Sequence, residues 1–241
     1  MAAAAAAGGA AAGGAAVARA HEELRNPDAL TALLAGDTAA LRSVTFGHEF
    51  GVTDEHVASL AAAVGRQLTS LRLGCADSGE GARLGDGAAA SLAAGCGEGL
   101  ETLHLTSVTG ITGRGFEALM RGLPGLRELH FTGNDKITCK VSDRELGLLT
   151  SEPALLPHLT TLYLTDSSVG YAKVKQLCKK RAKLTVHHGT SDGESYAAGM
   201  VRSLMGAEWG DGLFTERGRA AQAAHDRAAG GGGKRRRGPR Y

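Results

Sequence analysis

Apolar residues recur in one short pattern along the middle of the chain. Leucine, or another apolar residue, occupies the first, fourth and sixth positions of a six-residue segment, and mostly polar residues stand between them. Five copies are clear and the sixth is degenerate: LRSVTF (41–46), LTSLRL (68–73), LETLHL (100–105), LRELHF (126–131), LTTLYL (159–164) and RAKLTV (181–186). Alternation of this kind indicates short strands with one buried face.

A second apolar pattern follows each of the first five segments. Three apolar or small residues are spaced by five and then three positions, which places them on one face of a helix. The sets are Val52, Val57 and Leu60; Leu84, Ala89 and Leu92; Ile111, Phe116 and Leu119; Val141, Leu146 and Leu149; Val169, Val174 and Leu177. Strand and helix therefore alternate at intervals of 22 to 33 residues. This predicts a short α/β solenoid, with a parallel concave sheet and the helices outside it.

The repeats resemble a known class. The segments VTDEHVASLAAAVGRQLTSLRLGC and GLETLHLTSVTGITGRGFEALMRGLPGLRELHFTGND are similar to leucine-rich repeats of the cysteine-containing type found in F-box/LRR proteins. The resemblance covers residues 41–188 and keeps the turn signature as VTD (52–54), ITG (111–113) and VSD (141–143). It implies a right-handed leucine-rich-repeat solenoid that binds proteins, with a link to ubiquitin-ligase substrate recognition.

The sequence departs from that class at two points. The Asn or Cys expected three residues after each strand segment occurs only as Asn134. Because such a side chain normally bonds to buried backbone groups, its loss predicts a shorter, less regular stack. The residues before Leu41 are too few for an F-box.

The two ends of the chain differ from the repeats. Residues 1–25 are predicted to be a disordered Ala/Gly-rich leader, with a targeting segment as the alternative. NPDALTALLAG begins a predicted N-terminal capping helix over 26–40. A C-terminal cap is predicted over 189–217, and a disordered basic tail over 218–241.

Composition and charge argue against two classes of function, a membrane-spanning protein and a nucleic-acid-binding repeat domain. No stretch approaches the roughly 20 strongly apolar residues that a membrane helix needs. The five basic residues of 230–241 leave the rest of the chain with 22 basic against 25 acidic residues, so attraction to nucleic acid would come mostly from the tail. Four dispersed cysteines, with no CxxC pair, favour a reducing compartment such as the cytoplasm or nucleus.

A central row of larger side chains is predicted on the concave sheet, where the fifth position of each strand segment faces solvent. We expect a protein or peptide to dock there, although a solvated sheet without a ligand explains the same pattern equally well. The fifth positions are Thr45, Arg72, His104, His130, Tyr163 and Thr185. The predicted partner-binding residues are Arg72, His104, His130, Tyr163 and, at a third position, Glu128. A metal pair formed by His104 and His130 lacks an evident third ligand, so no metal or cofactor is expected.

Three further features are candidates for binding. Longer loops at Cys75–Arg83 and Gly133–Lys140 indicate either a binding rim or neutral insertions. A lysine-rich cluster around the last regular helix suits either an acidic partner or a solvated face. The tail suits nuclear import or weak nucleic-acid contact through Lys234, Arg235, Arg236, Arg237 and Arg240.

The sequence does not predict an enzyme. No P-loop, HExxH or GxGxxG motif is present, and a solenoid offers an open surface rather than a closed pocket. The sequence therefore predicts a non-catalytic protein-interaction module. The alternatives are a nuclear regulator tethered to nucleic acid by its tail, and a purely structural scaffold or receptor fragment.

Overall fold

Strands and helices alternate along the chain in a computed structural model, which describes residues 20–47, 49–74, 83–134 and 138–189. The strands are β1 (His21–Leu24), β2 (Ser43–Phe46), β3 (Ser70–Leu73), β4 (Thr102–Leu105), β5 (Glu128–Phe131), β6 (Thr161–Thr165) and β7 (Thr185–Gly189). The α-helices are α1 (Pro27–Ala35), α2 (Asp54–Val64), α3 (Asp86–Gly95), α4 (Gly113–Gly122), α5 (Asp143–Ser151) and α6 (Tyr171–Lys180). None of the helices described is both long and apolar enough to cross a membrane.

The strands form one parallel sheet in the order β1 to β7, so each strand pairs with the next one along the chain. This confirms the α/β solenoid predicted from the two repeating patterns. The apolar residues at the first, fourth and sixth positions of the first five strand segments are all buried. So are the five helical sets, which pack against them in one continuous core.

Aspartates at the start of three helices bind the neighbouring repeat. The backbone N–H of Gly85 donates to Asp54 at 2.7 Å, and that of Gly170 donates to Asp143 at 2.7 Å. Asp86 accepts bonds from both the backbone and the hydroxyl group of Thr112, at 2.7 and 2.6 Å. At these three places an aspartate side chain therefore satisfies a backbone donor of the next repeat.

Glycines allow close contact between helices of adjacent repeats. A Cβ atom placed on Gly95 would lie 2.7 Å from the Ala61 carbonyl oxygen, and one on Gly65 would lie 2.8 Å from the Gly95 backbone. A Cβ atom on Gly122 would overlap Ala93. At these positions α2, α3 and α4 approach each other more closely than any larger residue permits.

The sheet begins earlier than the sequence predicts. Residues 21–24 belong to the expected disordered leader, yet they form β1 and pair with β2, and Leu24 is fully buried. Residues 1–19 lie outside the described part of the chain. So do 190–241, which hold the tail and all of the predicted C-terminal cap except Gly189, the last residue of β7.

The register of the sixth repeat differs from the prediction. Thr161 pairs with Thr185 and Tyr163 with His187, so the fifth position of this repeat is His187 rather than Thr185. Arg181 stands where the motif predicted the first leucine. Its guanidinium group donates to the carbonyl oxygens of Leu149, Glu152, Leu155 and Leu156, at 3.0, 3.2, 2.6 and 3.0 Å.

Candidate binding face on the concave sheet

One row of side chains crosses the solvent-facing side of the sheet, from β3 to β7. The register places Arg72 beside His104, His104 beside His130, His130 beside Tyr163, and Tyr163 beside His187. These five residues are called the central row below. Four of them are the residues that the sequence predicted, and His187 was missed because its repeat was aligned two residues out of register.

The rings of the central row form a continuous stack. The ring centroids of His104 and His130 are 3.7 Å apart, those of His130 and Tyr163 are 3.8 Å apart, and those of Tyr163 and His187 are 4.0 Å apart. The angles between their planes are 16°, 18° and 5°. Neighbouring strands of a sheet lie about 4.8 Å apart, so rings at equivalent positions need only a small tilt to stack.

Stacking changes what the central row presents to a partner. Tyr163, which the sequence places in solvent, is half-buried with His130 on one face and His187 on the other. The inner rings therefore expose edges and polar atoms rather than faces. Because each ring fixes its neighbour, this surface is ordered before any partner binds.

Glu128, at the third position of the strand segment in β5, contacts two histidines of the central row. Its Oε1 atom accepts a hydrogen bond from Nε2 of His130 at 2.7 Å and lies 3.5 Å from Nε2 of His104. The Glu128 side chain is 39% exposed, whereas those of His104 and His130 are 13% and 18% exposed. The carboxylate is therefore already engaged by the ring stack.

Both of these histidines are held in the neutral form at neutral pH. Burial lowers the pKa of His104 to about 4, and His130 and Arg72 lower it further, against the opposing effect of Glu128. Burial also lowers the pKa of His130, while its bond with Glu128 acts in the opposite direction. Of Arg72, His104 and His130, Arg72 is therefore the residue that is positively charged at neutral pH.

The third potential metal ligand, which sequence reasoning did not identify, is Glu128. Ligand atoms of His104, Glu128 and His130 lie within 4.8 Å of one another. A zinc ion would need to lie about 2.0–2.1 Å from each imidazole nitrogen and close to the plane of each ring. Two rings stacked 3.7 Å apart at 16° direct their lone pairs nearly parallel, so this arrangement does not fit one shared ion.

Small hydroxylated side chains flank the central row. Ser70, Thr102 and Thr161 occupy the third positions of their strands and are half-buried. Arg72 is exposed, and no carboxylate among the described residues lies within ion-pair distance of it. The face thus combines one accessible guanidinium group with hydroxyl groups that leave space around it.

The other predicted binding features are described only in part. Residues 75–82 and 135–137 of the two longer loops fall outside the described residues, as does the basic tail. The lysines of α6 and Lys183 are present at the end of the sheet, and most are exposed. Arg181 does not belong to that surface cluster, because its side chain is committed to backbone carbonyl groups.

Two observations bear on catalysis. The pentapeptide GTSDG (189–193) matches the G-x-S-x-G pattern, which sequence reasoning missed, but the described structure ends at its first glycine. Burial raises the pKa of both the Cys96 and the Cys139 thiols to about 11. These two cysteines therefore remain protonated and serve as core residues rather than nucleophiles.

The similarity of this chain to known proteins is confined to solved structures. No family model and no curated protein match the chain. Among solved structures, a chain in the crystal structure of the Rad7 and Elc1 complex in yeast is 18% identical with a TM-score of 0.48, and the match covers 67% of this chain and 44% of that chain. An internalin, InlF from Listeria monocytogenes, is 14% identical with a TM-score of 0.29, and the match covers 62% of this chain and 48% of that chain. The chain therefore spans less than half the length of either.

The fold class rests on the repeats and the sheet themselves. In the described part of the chain, seven parallel strands pair in chain order and alternate with helices, and leucine or another apolar residue at the first, fourth and sixth positions of the first five strand segments fills the core. This architecture is that of a leucine-rich-repeat-type α/β solenoid.

Proposed function

We propose that this chain is a non-catalytic module that binds a protein or peptide across the concave face of its sheet. The observation that carries the proposal is the central row, a pre-ordered stack of four rings ending beside an exposed arginine. Arginine and tyrosine are enriched among the residues that dominate binding energy at protein interfaces.

The neighbourhood of the row supports binding better than catalysis. His104 and His130 are stacked and joined to Glu128, so these potential acid–base groups already bind each other. Small side chains flank the row, which leaves the face open to a broad partner. A role in ubiquitin-ligase substrate recognition is a narrower proposal, and it rests on the sequence resemblance alone.

The test is affinity capture from native cells followed by mass spectrometry, using the full chain and two charge-reversal variants. Arg72→Glu changes the exposed end of the central row, whereas Arg114→Glu makes the same change on the exposed surface of α4. We expect some proteins to be captured by the wild type and by Arg114→Glu but not by Arg72→Glu. Ubiquitin-ligase subunits in that set would support the narrower proposal.

Equal capture by both variants would overturn the proposal. Tyr163→Ala is a poor probe, because it removes a ring that stacks on both His130 and His187. A loss of binding could then come from the changed packing of these rings as well as from the missing side chain. A thermal unfolding curve for Arg72→Glu should match that of the wild type, since the side chain is exposed.

A further inference from the structure

We propose that the partner segment is extended and acidic, with one of its carboxylate groups on Arg72 and its backbone lying across the ring stack. This inference rests on the proposed function and names the chemistry of the partner. It follows from the charge balance of the face, from the orientation of the rings and from the length of the central row.

Among the described residues of the concave face, the charge balance leaves Arg72 without a carboxylate partner. Glu23 lies in the same column of the concave face as Thr45 and Arg72, and it pairs with Arg25 at 3.2 Å. Glu128 is bound by His130. Arg72 is exposed and has no carboxylate within ion-pair distance among the described residues. An incoming carboxylate would therefore complete an ion pair without displacing one.

The ring stack excludes an aromatic anchor. The faces of the inner rings are covered by neighbouring rings, so an aromatic side chain of the partner finds no open face between them. The Nε2 atoms of His104 and His130 lie beside Glu128, which leaves Arg72 as the group of these that can pair with a carboxylate.

The length of the row sets the length of the segment. Five strands lie between Arg72 and His187 inclusive, and a spacing of about 4.8 Å between strands gives a row of about 19 Å. An extended chain covers that distance with about six residues. Ser70 and Thr102 beside Arg72 leave room for the partner backbone and supply hydroxyl donors.

The test uses a fluorescein-labelled dodecapeptide of alternating glutamate and serine, with an alternating glutamine and serine dodecapeptide as the uncharged probe. Binding to the full chain is measured by fluorescence anisotropy at physiological salt. Arg72→Gln is compared with Arg114→Gln and with a tail variant in which residues 234–237 (KRRR) are all glutamine. The tail variant is needed because any flexible basic segment attracts polyanions.

We expect Arg72→Gln to weaken binding of the acidic peptide by at least about tenfold, as loss of a charge-assisted bond does. The Arg114 and tail variants should change the dissociation constant by less than about twofold. Equal affinity for the uncharged peptide would overturn the inference. So would binding that the tail substitutions abolish and Arg72→Gln leaves intact.

The two proposals fail separately. If cellular partners depend on Arg72 while the acidic peptide does not, the inference about charge is wrong and the proposed function stands. If neither depends on Arg72, the concave face is not the binding surface and both proposals fall.

Discussion

At the scale of single residues, His104 shows how its position in the stack sets its charge. Its side chain is largely buried between the arginine and the next ring, and both desolvation and the nearby cation oppose protonation. The folded chain therefore holds this imidazole neutral down to a pH at which an unfolded chain has already protonated it. Acid thus favours unfolding.

This difference predicts a pH-dependent stability. His104 has a pKa of about 4 in the folded chain against 6.5 for an unperturbed imidazole, so its contribution is complete above about pH 6.5 and lost as the pH falls toward 4. We expect the loss to be on the order of 2 kcal/mol, measured by urea unfolding at a series of pH values. His104→Gln should flatten the curve in this window, and His158→Gln, at an exposed loop position, should not. Parallel curves for the wild type and His104→Gln would contradict the assignment.

At the scale of elements, carboxylates at helix starts connect one repeat to the next. Asp86 begins α3 and accepts two hydrogen bonds from Thr112, the residue before α4. A negative charge also suits the N-terminus of its own helix. The pattern is interrupted at α4, which begins with Gly113, and there the Glu145 side chain fills the adjacent space.

Removing one of these connections should cost stability. We expect Asp86→Ala to lower the free energy of unfolding by about 1–3 kcal/mol, because a partly buried backbone donor loses its acceptor. Asp28→Ala is the control, since Asp28 occupies the first turn of α1 and is exposed. Its expected cost is about 0.5 kcal/mol. Chemical unfolding of both variants checks the prediction, and equal losses would show that the bond between repeats contributes nothing beyond the helix dipole.

At the scale of the whole molecule, each strand pairs only with its neighbours in sequence. The stability of such a stack is close to a sum of terms for repeats and for the contacts between adjacent repeats. A defect in the middle therefore affects contacts on both sides, while a defect at β1, which pairs only with β2 among the described strands, affects one side. Leu103 in β4 and Leu24 in β1 allow a matched comparison, because both are fully buried.

Truncation of these two leucines should speed amide hydrogen exchange in different sets of strands. We expect Leu103→Ala to cost about 2–5 kcal/mol and to speed amide hydrogen exchange in β3, β4 and β5. Leu24→Ala should speed exchange mainly in β1 and β2, because a terminal strand opens locally. Exchange followed by mass spectrometry distinguishes the two patterns. The same pattern for both variants would mean that the described chain unfolds only as one unit.

The sequence predicted the strands that carry the repeating apolar pattern, and it missed or misaligned the two that do not. Leucine spacing placed β2 to β6 correctly, because each carries three buried apolar positions. β1 was missed because it has a single buried leucine beside a low-complexity stretch. β7 was misaligned because Leu184 and Val186 have the spacing of the fourth and sixth positions, whereas the pairing of Val186 with Leu162 puts Val186 at the fourth. Neighbours in the central row were predictable from register, but their stacking depends on side-chain torsions that no motif encodes.

The glycine contacts between helices have a consequence for the shape of the binding face. A solenoid bends because helices take more room per repeat than strands do, since packed helices lie about 8–10 Å apart and paired strands about 4.8 Å apart. Gly65, Gly95 and Gly122 let α2, α3 and α4 pack tightly, which lowers the curvature around β3 to β5. We therefore expect the surface around Arg72 and His104 to curve less than it would with larger residues at these three positions, which suits a ligand that lies across it rather than one that must be encircled.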